Sequence, residues 1–238
     1  MILDPLTLLR AYAIGVFPMA DDREAEEIYW VEPKSRAILP LDGFHLSRSL
    51  AKVIRAERFR VTVNAAFREM VRLCAEAASD RPTTWINHDI EESYCTLHRL
   101  GFAHSVECWE GGELVGGLYG VSLGRAFFGE SMVSRRTDAS KVALAWLVAR
   151  MKLGGMTLLD CQFMTDHLRS LGASEISQRD YRALLDVALS GVSLVDSTAL
   201  LSAGPEAALA FAPDLSAALT VSGPVSGQVI VQLLTQTS

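Results

Sequence analysis

His104-Ser-Val-Glu-Cys-Trp-Glu110, then Gly111-Gly112, then Glu113-Leu-Val-Gly-Gly-Leu-Tyr-Gly-Val121, reads as two strand-like runs joined by a two-residue glycine link. Such a link supplies the positive φ angles of a tight turn, so the stretch predicts an antiparallel β-hairpin. Gly124 marks another turn, and Arg125-Ala-Phe-Phe-Gly-Glu130 continues as a third antiparallel strand. Downstream, Asp138 is placed to cap a mostly apolar helix that runs to Leu153 and stops at Gly154-Gly155. Thr157-Leu-Leu-Asp-Cys-Gln162 then reads as a buried strand, followed by a short helix ending at Gly172 and another over 178–189. A meander followed by helix and strand predicts an α/β (α+β) fold, a mixed, largely antiparallel sheet flanked by helices.

Outward from this centre the patterns are shorter. Residues 45–56 read as a helix rich in Arg and Lys, and Phe59-Arg-Val-Thr-Val63 alternates as a strand. Asn64 is a candidate N-cap for a helix whose stripe is Phe67, Met70, Val71, Cys74 and Ala78, before Pro82 breaks the chain. A further helix over 88–100 presents Ile90, Tyr94 and Leu97, with Gly101 at the C′ position. In the Ala-, Ser- and Leu-rich last fifty residues, Gln228-Val-Ile-Val-Gln-Leu-Leu234 reads as a strand. There is no internal repeat.

The 238 residues are half hydrophobic and 21% charged, the balance of a soluble globular protein of one large or two small domains. No apolar run reaches the ~18 residues of a membrane span. The start, Met1-Ile-Leu-Asp-Pro-Leu-Thr, lacks a basic region ahead of an apolar stretch, so a cytoplasmic protein is expected. The four cysteines and five histidines form no ligand spacing, and no metal is expected. The net charge of −6 is uneven: residues 31–60 hold seven Lys and Arg against three acids, and no Lys or Arg follows Arg182. The basic stretch is either a solvated helix face or a patch that holds phosphates by its local field.

Four blocks stand in order along the sequence. They are Ala11-Tyr-Ala-Ile-Gly-Val-Phe-Pro-Met19; Trp30-Val-Glu-Pro33 with Arg36 and His45-Leu-Ser-Arg-Ser-Leu50; Trp85-Ile86, Leu97-His98 and Gly101-Phe-Ala-His-Ser-Val-Glu-Cys-Trp109; and a last, discontinuous block. That block comprises Leu114-Val-Gly-Gly-Leu-Tyr-Gly120, Phe128-Gly-Glu-Ser-Met132, Ser140-Lys141, Asp160-Cys-Gln162, His167-Leu168 and Ser170-Leu-Gly-Ala173. Together, over roughly residues 8–182, they resemble the leucyl/phenylalanyl-tRNA–protein transferase family. Tyr29 stands where the family has a first Trp, and Val133 where it usually has Phe.

The resemblance implies an acetyltransferase-like (GNAT-like) catalytic domain over 61–238 and a small N-terminal subdomain over 1–60, shortened relative to the family. It implies a monomer that moves Leu, Phe or Met from charged tRNA to proteins with N-terminal Arg or Lys, marking them for N-degron proteolysis. Ester aminolysis needs no cofactor, only positioning, a neutral amine and oxyanion stabilisation. The pyrophosphate loop of the acetyl-CoA enzymes is absent: Arg150-Met-Lys-Leu-Gly-Gly155 has the wrong spacing and closes a helix. An acyl-CoA-dependent acyltransferase and a non-catalytic tRNA- or N-terminus-binding protein are the competing readings.

Asp160 and Gln162, two apart on a strand, are expected on one face as catalytic groups, or else as a polar pair capping the next helix. Glu130, after Gly129, is expected to meet either the acceptor's cationic side chain or the attacking amine, or else to be a plain surface carboxylate. Leu118, Phe127, Met132 and Leu159 are candidates for the donor side-chain pocket, or else ordinary core. Trp30 and Trp85 are candidates to stack on the terminal adenine. Arg36, Arg48, Lys52 and Arg55 are the expected tRNA contacts.

Overall fold

Strand β5 (Ala103–Glu110) turns at Gly111 and Gly112, with φ of 59° and 88°, into β6 (Glu113–Leu123). Gly124 turns β6 into β7 (Ala126–Ser134), which runs four residues past the end that the sequence suggests. The computed structural model describes residues 2–76, 83–190 and 226–235. It sets this meander in a seven-stranded sheet of order β4 (Arg60–Val63), β5, β6, β7, β8 (Leu158–Gln162), β3 (Ser35–Ile38), β9 (Ser174–Ser177). All pairings are antiparallel except β7–β8. A parallel pair needs a crossover, which α5 (Ala139–Leu153) provides. Apart from this sheet, β1 (Phe17–Met19) and β2 (Tyr29–Val31) form a two-stranded ribbon.

Strand alternation divides the core into two layers. Tyr119, Val121, Phe128 and Leu158 pack with α1 (Pro5–Ala13), α3 (Phe67–Ala75), α4 (His88–Arg99) and α7 (Gln178–Ala188). Leu118, Phe127 and Leu159 pack on the opposite face with α2 (Arg48–Arg55), α5 and α6 (Asp166–Ser170). Helix α5 is buried nearly all round because it lies between the sheet and an outer layer of α2 and α8 (Gly227–Thr235).

The C-terminal strand expectation is overturned, since residues 228–234 lie within the helix α8. Its Val and Ile favour strands locally, yet Gly227, Ile230 and Val231 fall on one helical face against α2 and α5. Burying Ile230 and Val231 stabilises by about 1.5–3 kcal/mol each, which outweighs that local preference. A Cβ at Gly227 would sit 2.0 Å from the Ile54 carbonyl, so only glycine permits this approach.

Two capping expectations also change. Asn64 sits at φ 58°, accepts the Ser105 N–H and donates toward His104 Nδ1, closing β4 instead of capping. The buried Glu107 accepts the Ala66 N–H and so holds the start of α3. Asp138 precedes α5 in the left-handed region, but its side chain pairs with Lys141, while Ser134 Oγ accepts the Ser140 N–H. Ala78 and Pro82 lie outside the described residues.

Candidate active site

The β7–β8 ladder ends at Phe128–Asp160, although β7 runs on to Ser134 and β8 to Gln162. Beyond that rung a cavity of about 270 Å³ opens. Gly129 to Met132 line it from β7, Leu159, Cys161 and Gln162 from β8, and Leu144 and Leu147 from α5. A crossover helix thus floors the gap where two parallel strands part. The cavity is mostly apolar, with Glu130, Ser131, Gln162, Thr165 and His167 as its polar lining residues.

Glu130 is the chief of these. Register places Gly129 opposite Gly120 and Ser131 opposite Tyr119, so Glu130 is the extra residue of a β-bulge. The bulge lets a carboxylate enter the protein where strict alternation would not direct it. Tyr12 Oη donates to its Oε1 at 2.7 Å, Tyr94 Oη to its Oε2 at 2.8 Å, and Gln162 Nε2 approaches Oε1 at 3.4 Å. Burial pushes the Glu130 carboxyl up to about 7. The two tyrosines pull it down, Asp160 adds to the rise and Arg36 opposes it. A carboxyl that titrates near neutrality beside a cavity is suited to exchanging protons there.

Asp160 occupies a different place from the one expected. Its carboxylate is 0% exposed and does not line the cavity. Arg36 donates from Nε to Oδ1 at 2.9 Å and from Nη2 to Oδ2 at 2.6 Å, and Tyr181 Oη donates to Oδ2 at 2.7 Å. The Gln162 N–H donates to Oδ1 at 2.9 Å. These donors occupy both oxygens, and through one of them Asp160 holds the Gln162 backbone. Gln162 is held at φ 56°, a conformation that costs a non-glycine residue of order 1 kcal/mol or more. That turn ends the strand alternation, and so Cys161 and Gln162 both line the cavity. The expected common face of positions 160 and 162 is replaced by a backbone-to-carboxylate bond.

A second cavity of about 90 Å³ shares Glu130, Gln162 and Phe163 with the first and adds Phe17, Met19 and Trp85. Two chambers therefore meet at one carboxyl and one carboxamide.

The sequence matches a family model described as leucyl/phenylalanyl-tRNA protein transferase over residues 38–186, and that family's N-terminal domain over 1–34. A leucyl/phenylalanyl-tRNA–protein transferase of Rhizorhabdus wittichii is 61% identical and covers 99% of each chain. One from Novosphingobium aromaticivorans is 52% identical over 98% of this chain and 96% of its own. The chain belongs to the leucyl/phenylalanyl-tRNA–protein transferase family. A solved structure titled "The structure of L-PGS from Bacillus licheniformis" is 14% identical at TM-score 0.38, covering 82% of this chain and 70% of its own, too loose a likeness to bear on the fold.

Among the residues singled out for this transferase family, Leu118, Met132 and Leu159 line the larger cavity. Phe127 does not, being fully buried and packed beneath Gly120. Trp85 lines the smaller cavity, whereas Trp30 lies on the ribbon, 42% exposed and outside both cavities. Arg48, Lys52 and Arg55 share an exposed face of α2, and no ion pair joins them to a carboxylate among the described residues. Arg36 is the correction. Its guanidinium is 1% exposed, bound to Asp160 and the Gly15 carbonyl, and stacked against Phe17 and Tyr181, out of reach of any phosphate. It stood in the basic stretch, and nothing in local composition distinguishes a buried arginine from its exposed neighbours.

The sequence reading assigned no site role to Tyr12, Tyr94, Phe17, Met19 or Phe163. Tyr12, Phe17 and Met19 belong to the first family block, and Tyr94 to the apolar face of α4. The signal lay there as hydroxyl groups on otherwise apolar faces, which when buried need partners.

Among the described residues no cluster of His, Cys, Asp or Glu is arranged to hold a metal, and no helix is long and apolar enough to cross a membrane.

Proposed function

We propose that this transferase joins leucine, phenylalanine or methionine, esterified to tRNA, to the α-amine of proteins beginning with Arg or Lys. The larger cavity receives the donor side chain: its lining is aliphatic, with Met132 able to adapt to either a branched or an aromatic group. The ester then lies at the junction of the chambers, and the terminal adenosine at the smaller one, beside Trp85. The Gln162 carboxamide is turned into this junction and orients the incoming amine. Glu130 accepts the proton that the amine sheds as the new C–N bond forms. An α-amine has a reference value of about 7.7–8.0, so a base near 7 suffices. The observation that carries this reading is a single titratable carboxyl shared by an apolar pocket and an aromatic one.

We place the small N-terminal unit at about 1–34, because β3 belongs to the large sheet and the N-terminal family model also ends there. We read the enzyme as monomeric, since one chain lines both chambers, and as acting in the cytoplasm, where charged tRNA is held.

The direct test incubates the protein with mixed charged tRNAs and peptides starting with Arg, Lys, Asp or Ala, followed by mass spectrometry. Masses raised by one Leu, Phe or Met residue on the Arg and Lys peptides alone are expected. Binding of charged tRNA with no peptide modified would instead support a non-catalytic protein.

The α2 face makes a separate prediction. Replacing Arg48, Lys52 and Arg55 together with Gln should weaken tRNA binding and reduce the slope of log K against log salt by about 2–3, since each phosphate contact contributes about 0.7–0.9. A filter-binding series with an unchanged slope would remove α2 from the tRNA path.

A further inference from the structure

Phe163 follows Gln162 at the point where both chambers meet. It lines the larger cavity and the smaller one, as do, among the described residues, only Glu130 and Gln162. Unlike those two it is apolar, and it is 47% exposed although its neighbours along β8 are mostly buried. The positive φ of Gln162 turns the chain here, so Phe163 stands outside the strand register. An edge-to-face contact with Phe17, centroids 5.7 Å apart at 80°, holds the ring from the other side of the small chamber. A large apolar side chain left half in solvent at the rim of a reaction site has lost little by being there only if something covers it when the site is filled.

The chemistry supplies a reason. In transfer, the amine nitrogen bonds to the ester carbonyl carbon, the carbonyl–ribose oxygen bond breaks, and the amine's proton ends on the ribose hydroxyl. In hydrolysis, a water oxygen bonds to the same carbon and the same bond breaks. One water proton goes to the ribose oxygen and the other leaves the new carboxylic acid for solvent. A base that serves the amine can also serve water, a weaker nucleophile that outnumbers acceptor peptides by orders of magnitude. A transferase must therefore keep water from the carbonyl until an amine arrives.

We propose that Phe163 is a positioning residue that covers the ester at the junction of the two chambers and sets the partition between peptide-bond formation and hydrolysis. This rests on the transferase reading above. The ring shields the donor carbonyl from solvent, leaving the acceptor's approach as the open path.

The experiment uses the full chain with purified leucyl-tRNA and an Arg-initiated peptide, and reads leucylated peptide and free leucine from the same reaction. Phe163→Ala should raise the ratio of free leucine to leucylated peptide about tenfold, the effect of admitting water to a site that excluded it. Phe163→Leu and Phe163→Tyr, which keep bulk at the rim, should stay within about twofold of wild type, whereas Phe163→Val, a smaller truncation, should raise the ratio about threefold and keeps the partition readable even if the alanine protein folds poorly. A wild-type partition in Phe163→Ala, with transfer intact, overturns the role of Phe163 alone. A wild-type protein that leaves the peptide unmodified overturns the transferase reading, and this inference with it.

Discussion

Asp160→Ala is expected to lower the stability of the protein by about 3–5 kcal/mol, the usual cost of leaving one buried charge without its partner. The abandoned group is the Arg36 guanidinium, 1% exposed, whose Nε and Nη2 bonds go to Asp160. For a chain of this length that loss lowers the thermal midpoint by about 10 °C. Transfer should fall as well, because the Gln162 N–H loses its acceptor and the strained backbone at φ 56° is free to relax. The two effects separate in the double variant Arg36→Met, Asp160→Leu. Removing both charges should recover at least half of the lost stability, as buried pairs replaced by apolar groups often do. It should not recover transfer, since no carboxylate then holds Gln162. Thermal melts of the two variants, with turnover measured well below each midpoint, decide the matter. An Asp160→Ala protein with a wild-type midpoint would exclude the pair from the core, and a double variant with full turnover would exclude positioning.

This pair also shows where the sequence was legible and where it was not. The hairpin, the crossover helix and the strand carrying Asp160 could all be read, because each is written in local periodicity and glycine placement. Strand β3 was invisible: Ser35-Arg-Ala-Ile38 is short, and its pairing with β8 and β9 joins residues more than a hundred positions apart. Arg36 was therefore counted with the exposed basic residues. Glu130 was found for an incomplete reason. Gly129 does leave space near it, but the bulge that turns it inward depends on register with β6, which no local pattern encodes. Tyr12 and Tyr94 are 82 residues apart, on different helices, and only the fold brings them to that carboxylate and to each other. Burial driven by tertiary contacts likewise made a helix of the β-branched 227–235 segment. Individual candidate residues could thus be picked from motifs, while their division into those that touch the chambers and those that stand behind them required the fold.

Glu130→Gln is expected to cut transfer by about 100-fold or more, the typical contribution of a positioned general base, while making the protein more stable at alkaline pH. The stability change follows from the same burial that tunes the base. The carboxyl titrates near 7 folded, against an ordinary 4.5, so between those values the unfolded chain releases a proton that the native state keeps. Unfolding is favoured progressively over that window, and native stability falls as pH rises from about 4.5 to 7. At about 1.4 kcal/mol per pH unit, the loss of stability amounts to about 3 kcal/mol, complete above pH 7 and absent below pH 4.5. Glutamine carries no such charge, keeps an oxygen for a tyrosine hydroxyl, and leaves the Tyr12–Tyr94 contact of 2.6 Å in place. The variant should therefore match wild type in denaturant melts at pH 4 and exceed it by up to about 3 kcal/mol at pH 8. Its rate profile should change in parallel. Wild-type kcat/KM rises with two ionisations, Glu130 near 7 and the acceptor amine near 8, whereas the variant retains only the amine's. A variant with wild-type turnover at pH 8 and both ionisations intact would show that the proton leaves by another group. A variant no more stable than wild type at pH 8 would show that the carboxyl is not strained by burial in the first place.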